Sequence, residues 1–386
     1  MKTVTAAGGV KRKEWKTNYL INTIPKKSEA LHDLYDLSFS MQLANNKWRV
    51  FGTGWLIDWK KPKRTHNLSE PFYLYLATNL HIAVALSNPK DYAPFNKASI
   101  GNSLTTVFCL GKYINPQLFK LRTDVSNAFV SIQTSTIPKT AFVARDFVPL
   151  QNRGNQWVAP VRASEDDPAL AKSYLDFAII EVPLFLHNQM DKQIYDHFMR
   201  PAINTYERLG NSVGIFAYQP MASFKRDSYF ALGYPQVESN IAALNLNQTE
   251  VKPTRPEDVA QVTFKEPWSV DHHREIPTLT TNQLTTIKTK HFSGSKLSWP
   301  FDHTKSFKIK NKWLGQNYQM YGHGLGIDQV NLRKGTSSSL VINQKRQIVG
   351  IYFATVITNP KKAVRNDVGL VQMLRFQGEG NSLNPN

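Results

Sequence analysis

Residues 72–86 read FYLYLATNLHIAVAL. The opening seven residues are the aromatic and aliphatic mixture of a buried or half-buried strand. Thr78 and Asn79 end that run, and His81 follows at once, where the buried strand closes. A histidine there is either a core or cap residue, or a working group delivered to the edge of a sheet. Upstream, FGTGWLIDW (51–59) belongs to a strand predicted over 48–59, and KKPKRTHNLSEP (60–71) reads as the hairpin loop joining it to 72–78.

The same pattern runs through the chain. Short stretches of Val, Ile, Phe, Tyr and Thr, parted by Gly, Pro, Asn and Asp, predict further strands at 36–43, 104–113, 127–133, 176–182, 212–218, 228–233, 306–310, 339–343, 348–356 and 367–373. One long helix is expected, HNQMDKQIYDHFMRPAINTYERLG (187–210). There Met190, Ile194, Phe198 and Met199 fall at helical spacing, Pro201 interrupts the second half and Gly210 suits the stop. Many short strands with few helices indicate a mostly β sandwich or barrel architecture. Residues 1–30 read as an extended basic arm, and the polar, proline-dotted stretch 236–300 as a surface insertion.

The 386 residues, 41% hydrophobic, can bury one large core or two moderate ones. Lys and Arg number 47 against 29 Asp and Glu, a net charge of +18 that favours acidic partners. The excess is spread along the chain rather than gathered in a stripe, as on a solvated basic surface. Cys109 is the only cysteine, which excludes an internal disulfide and a multi-thiolate metal site. DHHRE (271–275) offers His272 and His273, but adjacent loop histidines rarely converge on one metal, so no metal or cofactor is expected. KWRVFGTGW lacks the third glycine and following helix of a nucleotide loop. The opening MKTVTAAGGVKRKEW has no apolar signal core, and no stretch approaches a membrane span, so membrane attachment is expected only through a segment outside this chain.

Two other stretches share a chemistry with His81. In YLDFAIIEV (174–182), Asp176 enters an otherwise apolar strand; in RKGTSSSLVIN (333–343), three serines follow Gly335 and Thr336. Each has a plain structural reading, as a strand start or a polar turn. Together they supply the three roles of serine-driven amide hydrolysis: an imidazole to take the hydroxyl proton, a carboxylate to fix the imidazole, and a hydroxyl to attack. Ser337 is the candidate nucleophile. It lies two residues after Gly335, the spacing that lets the main-chain N–H groups of Gly335 and Ser337 converge on one oxyanion.

The order His81, Asp176, Ser337, carried by ATNLH, LDFAIIEV and GTSSSLV with IVGIYF after it, resembles the chymotrypsin-like serine proteases. GTGWLID with YLATNLH, DFAIIEV, ALGYP and SSSLVIN with IVGIY look closer still to the mycoplasma peptidase family that includes Mycoplasma immunoglobulin protease. The resemblance implies a two-lobed, chymotrypsin-like double β-barrel with loop insertions and one longer helix. Residues 31–165 would carry His81 and residues 166–380 would carry Ser337. It further implies that Phe353, Ala354 and Thr355 line the substrate cleft and that YGHGLG (321–326) forms part of the specificity-pocket wall.

The resemblance implies that the serine turn is usually Gly-x-Ser-Gly-Ser, so Ser338 stands where glycine is expected. If positive φ is required there, serine is strained by about 1–3 kcal/mol. Thr336 replaces the aspartate that receives a new N-terminus in trypsin-like enzymes, so no such activation step is expected. By resemblance the substrate is a protein or peptide, with immunoglobulin heavy chain, presented by a separate antibody-binding protein, as the family candidate. An extracellular or cell-surface location follows from the same likeness. Two alternatives stay open: a weakly active or inactive protease fold that only binds, and sequence-indifferent nucleic-acid binding through the +18 charge, although no specific nucleic acid is expected.

Overall fold

The computed structural model describes residues 14–18, 20–24, 27–63, 69–93, 95, 104–113, 129–145, 151–153, 156–158, 172–215, 224–235, 244–247, 261–265, 285–288, 293–302, 310–313, 316–320, 322–328, 330, 332, 335–356, 368–374, 377–378 and 381–382. A helix, α1 (Glu29–Leu37), opens the core where the sequence suggested an arm running into a strand. Leu31, Leu34 and Leu37 repeat every three residues and are buried, each contributing about 1.5–3 kcal/mol. Strands β1 (Ser38–Ala44), β2 (Arg49–Lys60) and β3 (Phe72–Thr78) follow, then a single turn of helix, α2 (Leu80–Ala83). Next come β4 (Val107–Tyr113), β5 (Phe129–Gln133), β6 (Lys139–Arg145) and β7 (Lys172–Leu184). The sequence reading missed β6.

The predicted long helix is three contiguous segments: α3 (Gln189–Ile194), a π turn (Tyr195–Met199) and α4 (Arg200–Leu209). The Asn188 side chain caps the start, accepting from the N–H groups of Met190 and Asp191 at 2.9 and 3.3 Å. Pro201 has no N–H to donate to the preceding turn, and the widened π turn lies directly before it. Gly210, at φ +52°, ends the helix. Residues 210–213 form a 3₁₀ turn rather than the start of a strand at 212–218.

Strands β8 (Ser228–Gly233), β9 (Asn245–Leu246), β10 (Ser295–Asp302), β11 (Lys310–Trp313), β12 (Gln316–Met320), β13 (His323–Ile327), β14 (Leu340–Asn343), β15 (Ile348–Val356) and β16 (Val368–Met373) complete the two lobes. Thus 236–300, read as a surface insertion, gives β9 and β10 to the second lobe. Most of the strand expected at 306–310 lies outside the described residues.

The first lobe is a nine-stranded sheet in the order β11-β12-β7-β3-β2-β1-β4-β5, with β6 also on β7. The second is a closed six-stranded barrel, β8-β10-β13-β16-β15-β14, in which β14 returns to β8 with Phe230 opposite Ile342. The chain therefore has the expected mostly β, two-lobed fold of a chymotrypsin-like protease, with one lobe closed by hydrogen bonds. Although a division at 165/166 assigns β7 to the second lobe, β7 pairs with β3 in the first, Ala178 opposite Thr78.

Helix α1 joins the lobes. Its leucines share a core with Leu209 of α4 and with Leu232, Leu340 and Ile342 of the barrel. Asp33, buried on α1, pairs with Arg208 of α4 and lies 3.7 Å from Arg346 in the turn after β14; Glu29 holds Arg346 at 2.9 Å. Burial pushes the Asp33 carboxyl up, and the two arginines pull against that shift.

Candidate active site

The FGTGW stretch builds the histidine side. Gly52 and Gly54 share one face of β2, and a side chain at Gly52 would meet Ile82 at 3.1 Å. The missing side chain lets α2 pack onto β2. Leu80, Ile82 and Ala83 are buried, so the one-turn helix is anchored by its apolar residues, while the His81 side chain between them is 39% exposed.

Register places the carboxylate. Antiparallel pairing of β7 with β3 sets Ala178 opposite Thr78, and two residues earlier on β7 Asp176 falls beside α2. Its Oδ2 lies 2.6 Å from His81 Nδ1, and its Oδ1 accepts the His81 main-chain N–H at 3.0 Å. Both oxygens of a carboxylate that is 4% exposed hold one histidine. A contact that short needs a proton between nitrogen and carboxylate, so Nδ1 carries it, and in the neutral ring that tautomer leaves the lone pair on Nε2. Burial, with the Asp176 charge second, pushes the neighbouring Tyr174 phenol up.

The serine turn is built from polar contacts. Gly335 has φ +98° and Ser338 φ +78°. Positive φ is found at Ser338, where the resemblance leads glycine to be expected, with its strain of about 1–3 kcal/mol. Thr336, Ser338 and Ser339 are all fully buried. Ser339 Oγ donates to Thr336 O at 2.6 Å, and a side chain on Gly233, the glycine of ALGYP, would run into Ser339 Oγ and Thr336. Ser338 N–H donates to Tyr352 O, and Tyr352 N–H to Ser339 O, both at 2.9 Å, which ties the turn to β15.

This turn crosses to the first lobe at two places. Thr53, between the two β2 glycines, donates its N–H to Ser337 O at 2.9 Å and accepts from Tyr234 N–H at 3.0 Å. Ser338 Oγ accepts the Asn79 N–H at 2.7 Å and lies 2.9 Å from Thr78 Oγ1 and 3.1 Å from Asn79 Oδ1. Asn79 Nδ2 in turn donates to Asp176 O at 2.7 Å. Ser337 is therefore flanked by a residue bonded two positions from His81. His81 and Asp176 are in direct contact; among the described residues no hydrogen bond joins Ser337 Oγ to His81, and neither Gly335 N–H nor Ser337 N–H has an acceptor.

Phe353 is buried in a cluster with Leu80 and Ala83, the residues flanking His81, whereas Ala354 and Thr355 are half-buried. The pairing of β15 with β16 bulges between Tyr352 and Ala354, and β14 runs alongside β15 only as far as Ile351. His323 to Gly326 of YGHGLG lie in β13 of the barrel wall. Sequence reasoning missed Thr53, Thr78 and Asn79; the one available signal was an asparagine at a strand end two residues before the histidine. Burial pushes the Cys109 thiol up to about 11, so it is no thiolate at neutral pH. Among the described residues no three ligating side chains cluster around a metal site, and His272 and His273 lie outside them.

Residues 28–354 match the family described as Mycoplasma immunoglobulin protease. The chain belongs to that family. Its relatives include an uncharacterised lipoprotein of Mycoplasma pneumoniae, 38% identical over 97% of this chain and 89% of the relative. Another is the lipoprotein MG068 of Mycoplasma genitalium, 37% identical over 97% and 81%. Among solved structures, the mycoplasma MIB and MIP proteins align at TM-score 0.44 and 13% identity, over 84% of this chain and 53% of that one. The active form of the Rv3671c protease from M. tuberculosis aligns at 0.36 and 10%, over 96% and 89%. Family membership rests on the sequence match, and the protease fold on the topology above. Among the described residues no helix is long and apolar enough to cross a membrane.

Proposed function

We propose that this member of the family is a serine endopeptidase with Ser337 as nucleophile, His81 as general base and Asp176 as the carboxylate that holds His81. The observation that carries the reading is the double grip of Asp176 on His81, main chain and ring, beside a turn bonded through Ser338 to Asn79. His81 Nε2 takes the proton as Ser337 Oγ attacks the scissile carbonyl; the C–N bond then breaks, and the imidazolium gives that proton to the leaving amine. Water, deprotonated by the same nitrogen, releases the acyl group and restores Ser337. The main-chain N–H groups of Gly335 and Ser337 are the proposed oxyanion donors. Ala354 and Thr355, beyond the end of β14, would offer main chain to an extended peptide, with Phe353 packed behind them.

Replacing Ser337 by alanine is the test. Peptide hydrolysis should fall by about 10⁶-fold, and fluorophosphonate labelling should vanish. Retained labelling would remove Ser337 from its role. The strained φ of Ser338 favours a second reading, a protease fold that binds without cutting, and absent labelling of the unaltered chain would establish it.

The family description supports immunoglobulin as substrate, and the lipoprotein relatives support a cell-surface location. Heavy-chain fragments on incubation with antibody, with and without a separate antibody-binding protein, test the substrate and the need for a presenting partner.

A further inference from the structure

Asn79 occupies the N-cap position of α2, where an asparagine side chain ordinarily accepts a helix N–H. It makes no such cap, and α2 goes without one. Its fully buried amide is spent instead on β7 and on the serine turn before β14. Nδ2 donates to the main-chain oxygen of Asp176 at 2.7 Å, and Oδ1 faces Ser338 Oγ at 3.1 Å, while the Asn79 N–H donates to the same Oγ at 2.7 Å. Ser338 keeps φ +78°, a conformation that suits glycine, without glycine's freedom. Its hydroxyl accepts from Asn79 N–H and has Asn79 Oδ1 and Thr78 Oγ1 within donating reach, so its hydrogen-bonding capacity is used across the lobe junction. A hydroxyl that only filled space would gain nothing from a backbone this unfavourable.

We infer that Asn79 and Ser338 form a positioning clasp, which sets the Ser337 turn of the barrel against the Asp176–His81 pair of the first lobe. The inference rests on the proposed role of Ser337. Neither clasp residue touches the reacting atoms. Each acts through its neighbour, Ser338 through Ser337 and Asn79 through Asp176. Displacing a nucleophile by a fraction of its bond reach slows reaction without weakening binding, so the clasp should appear in the rate constant and not in the affinity.

The test measures fluorophosphonate inactivation of the full chain, resolved into kinact and KI, with the labelled residue located by mass spectrometry. Ser338→Gly keeps the backbone conformation, and the relieved strain offsets the lost acceptor of the buried Asn79 N–H, so it should fold with a thermal midpoint near that of the wild type. Its kinact at Ser337 should fall by about 10²-fold, with KI unchanged. Asn79→Ala should lower kinact similarly, and the double variant should lose no more than the worse single one, since both break one link. Wild-type or faster labelling of Ser338→Gly would overturn the clasp, as would losses that multiply in the double variant or a change confined to KI. Should Asn79→Ala fail to fold, Ser338→Gly decides alone. Labelling that survives Ser337→Ala would instead remove the nucleophile assignment beneath it.

Discussion

The histidine turn and the serine turn meet at the same junction but are held by opposite means. Around His81 the anchors are apolar: Leu80, Ile82 and Ala83 sink into the cores on either side, and Gly52 gives up its side chain to admit Ile82. Around Ser337 the anchors are hydroxyls and main-chain groups, with Thr336, Ser338 and Ser339 fully buried on a backbone that twice enters positive φ. Apolar anchoring is broad and tolerant, because dispersion contacts have no preferred direction. Polar anchoring is directional, and a buried group that loses its partner costs about 1–3 kcal/mol. The difference suits the two proposed tasks, since an imidazole can rock about its carboxylate, while a nucleophile and its oxyanion donors must stay fixed.

The largest effect should come from breaking the charged element of the histidine side. In Asp176→Asn the side chain can still fill its space beside α2, but an amide nitrogen turned toward Nδ1 favours the wrong tautomer. Hydrolysis should drop by about 10⁴-fold with little change in thermal midpoint, measured on a peptide substrate and by scanning calorimetry. A loss of stability equal to the loss of activity would mean that Asp176 is a structural pin. Ile82→Ala attacks the apolar anchor directly and should cost about 2–5 kcal/mol of folding free energy, read from urea unfolding. A small cost there would mean that polar contacts hold this turn as well.

The same contrast explains what could be read from the sequence. Period-two and period-three apolar patterns report burial, so β2, β3, β8, β15 and the helical stretch from 189 to 209 were legible. His81 and Asp176 stood out because a titratable residue interrupts an apolar run. The α1 helix was not legible: its leucines keep helical spacing, but Asp33 and Asp36 break the apolar face, and the reason for Asp33 lies in Arg208 and Arg346, far along the chain. β10 carries Ser, Lys and Pro amid its apolar residues and is fixed by pairing with β8 and β13. The clasp was invisible for a similar reason. Nothing local marks Asn79 or Ser338, whose partners are set by inter-lobe packing 259 positions apart.

The first lobe has its own exception to apolar construction. Lys112 on β4 is buried, donates to Asp36 O at 2.8 Å and lies over the rings of Tyr35 and Phe39 at 4.4 and 4.7 Å. Burial lowers its ammonium to about 7, against a weaker opposing pull from Asp36. Below that pH the lysine is charged in both folded and unfolded chains, and the full cost of burying the charge is present. Between about 7 and 10.5 the unfolded chain binds more protons, so stability rises with pH across that window. Lys112→Met should therefore stabilise at pH 6 by about 1–2 kcal/mol, after the lost hydrogen bond and ring contacts are set against the relief. The gain should shrink toward pH 10. A gain that stayed flat from pH 6 to pH 10 would mean that the lysine keeps its charge in the folded chain.

The smallest effect sharpens the contrast within the serine turn itself. Ser339 and Ser338 are both buried hydroxyls, but Ser339 Oγ bonds inside its own turn, to Thr336 O, whereas Ser338 Oγ bonds across to the first lobe. In Ser339→Ala the Thr336 oxygen still accepts the Ser339 N–H at 3.1 Å, so no buried acceptor is abandoned. Stability should fall by about 1 kcal/mol, while the fluorophosphonate rate constant at Ser337 stays at the wild-type value. If Ser339→Ala slowed labelling as much as Ser338→Gly, rigidity of the turn, rather than its tie to Asn79, would be what places the nucleophile.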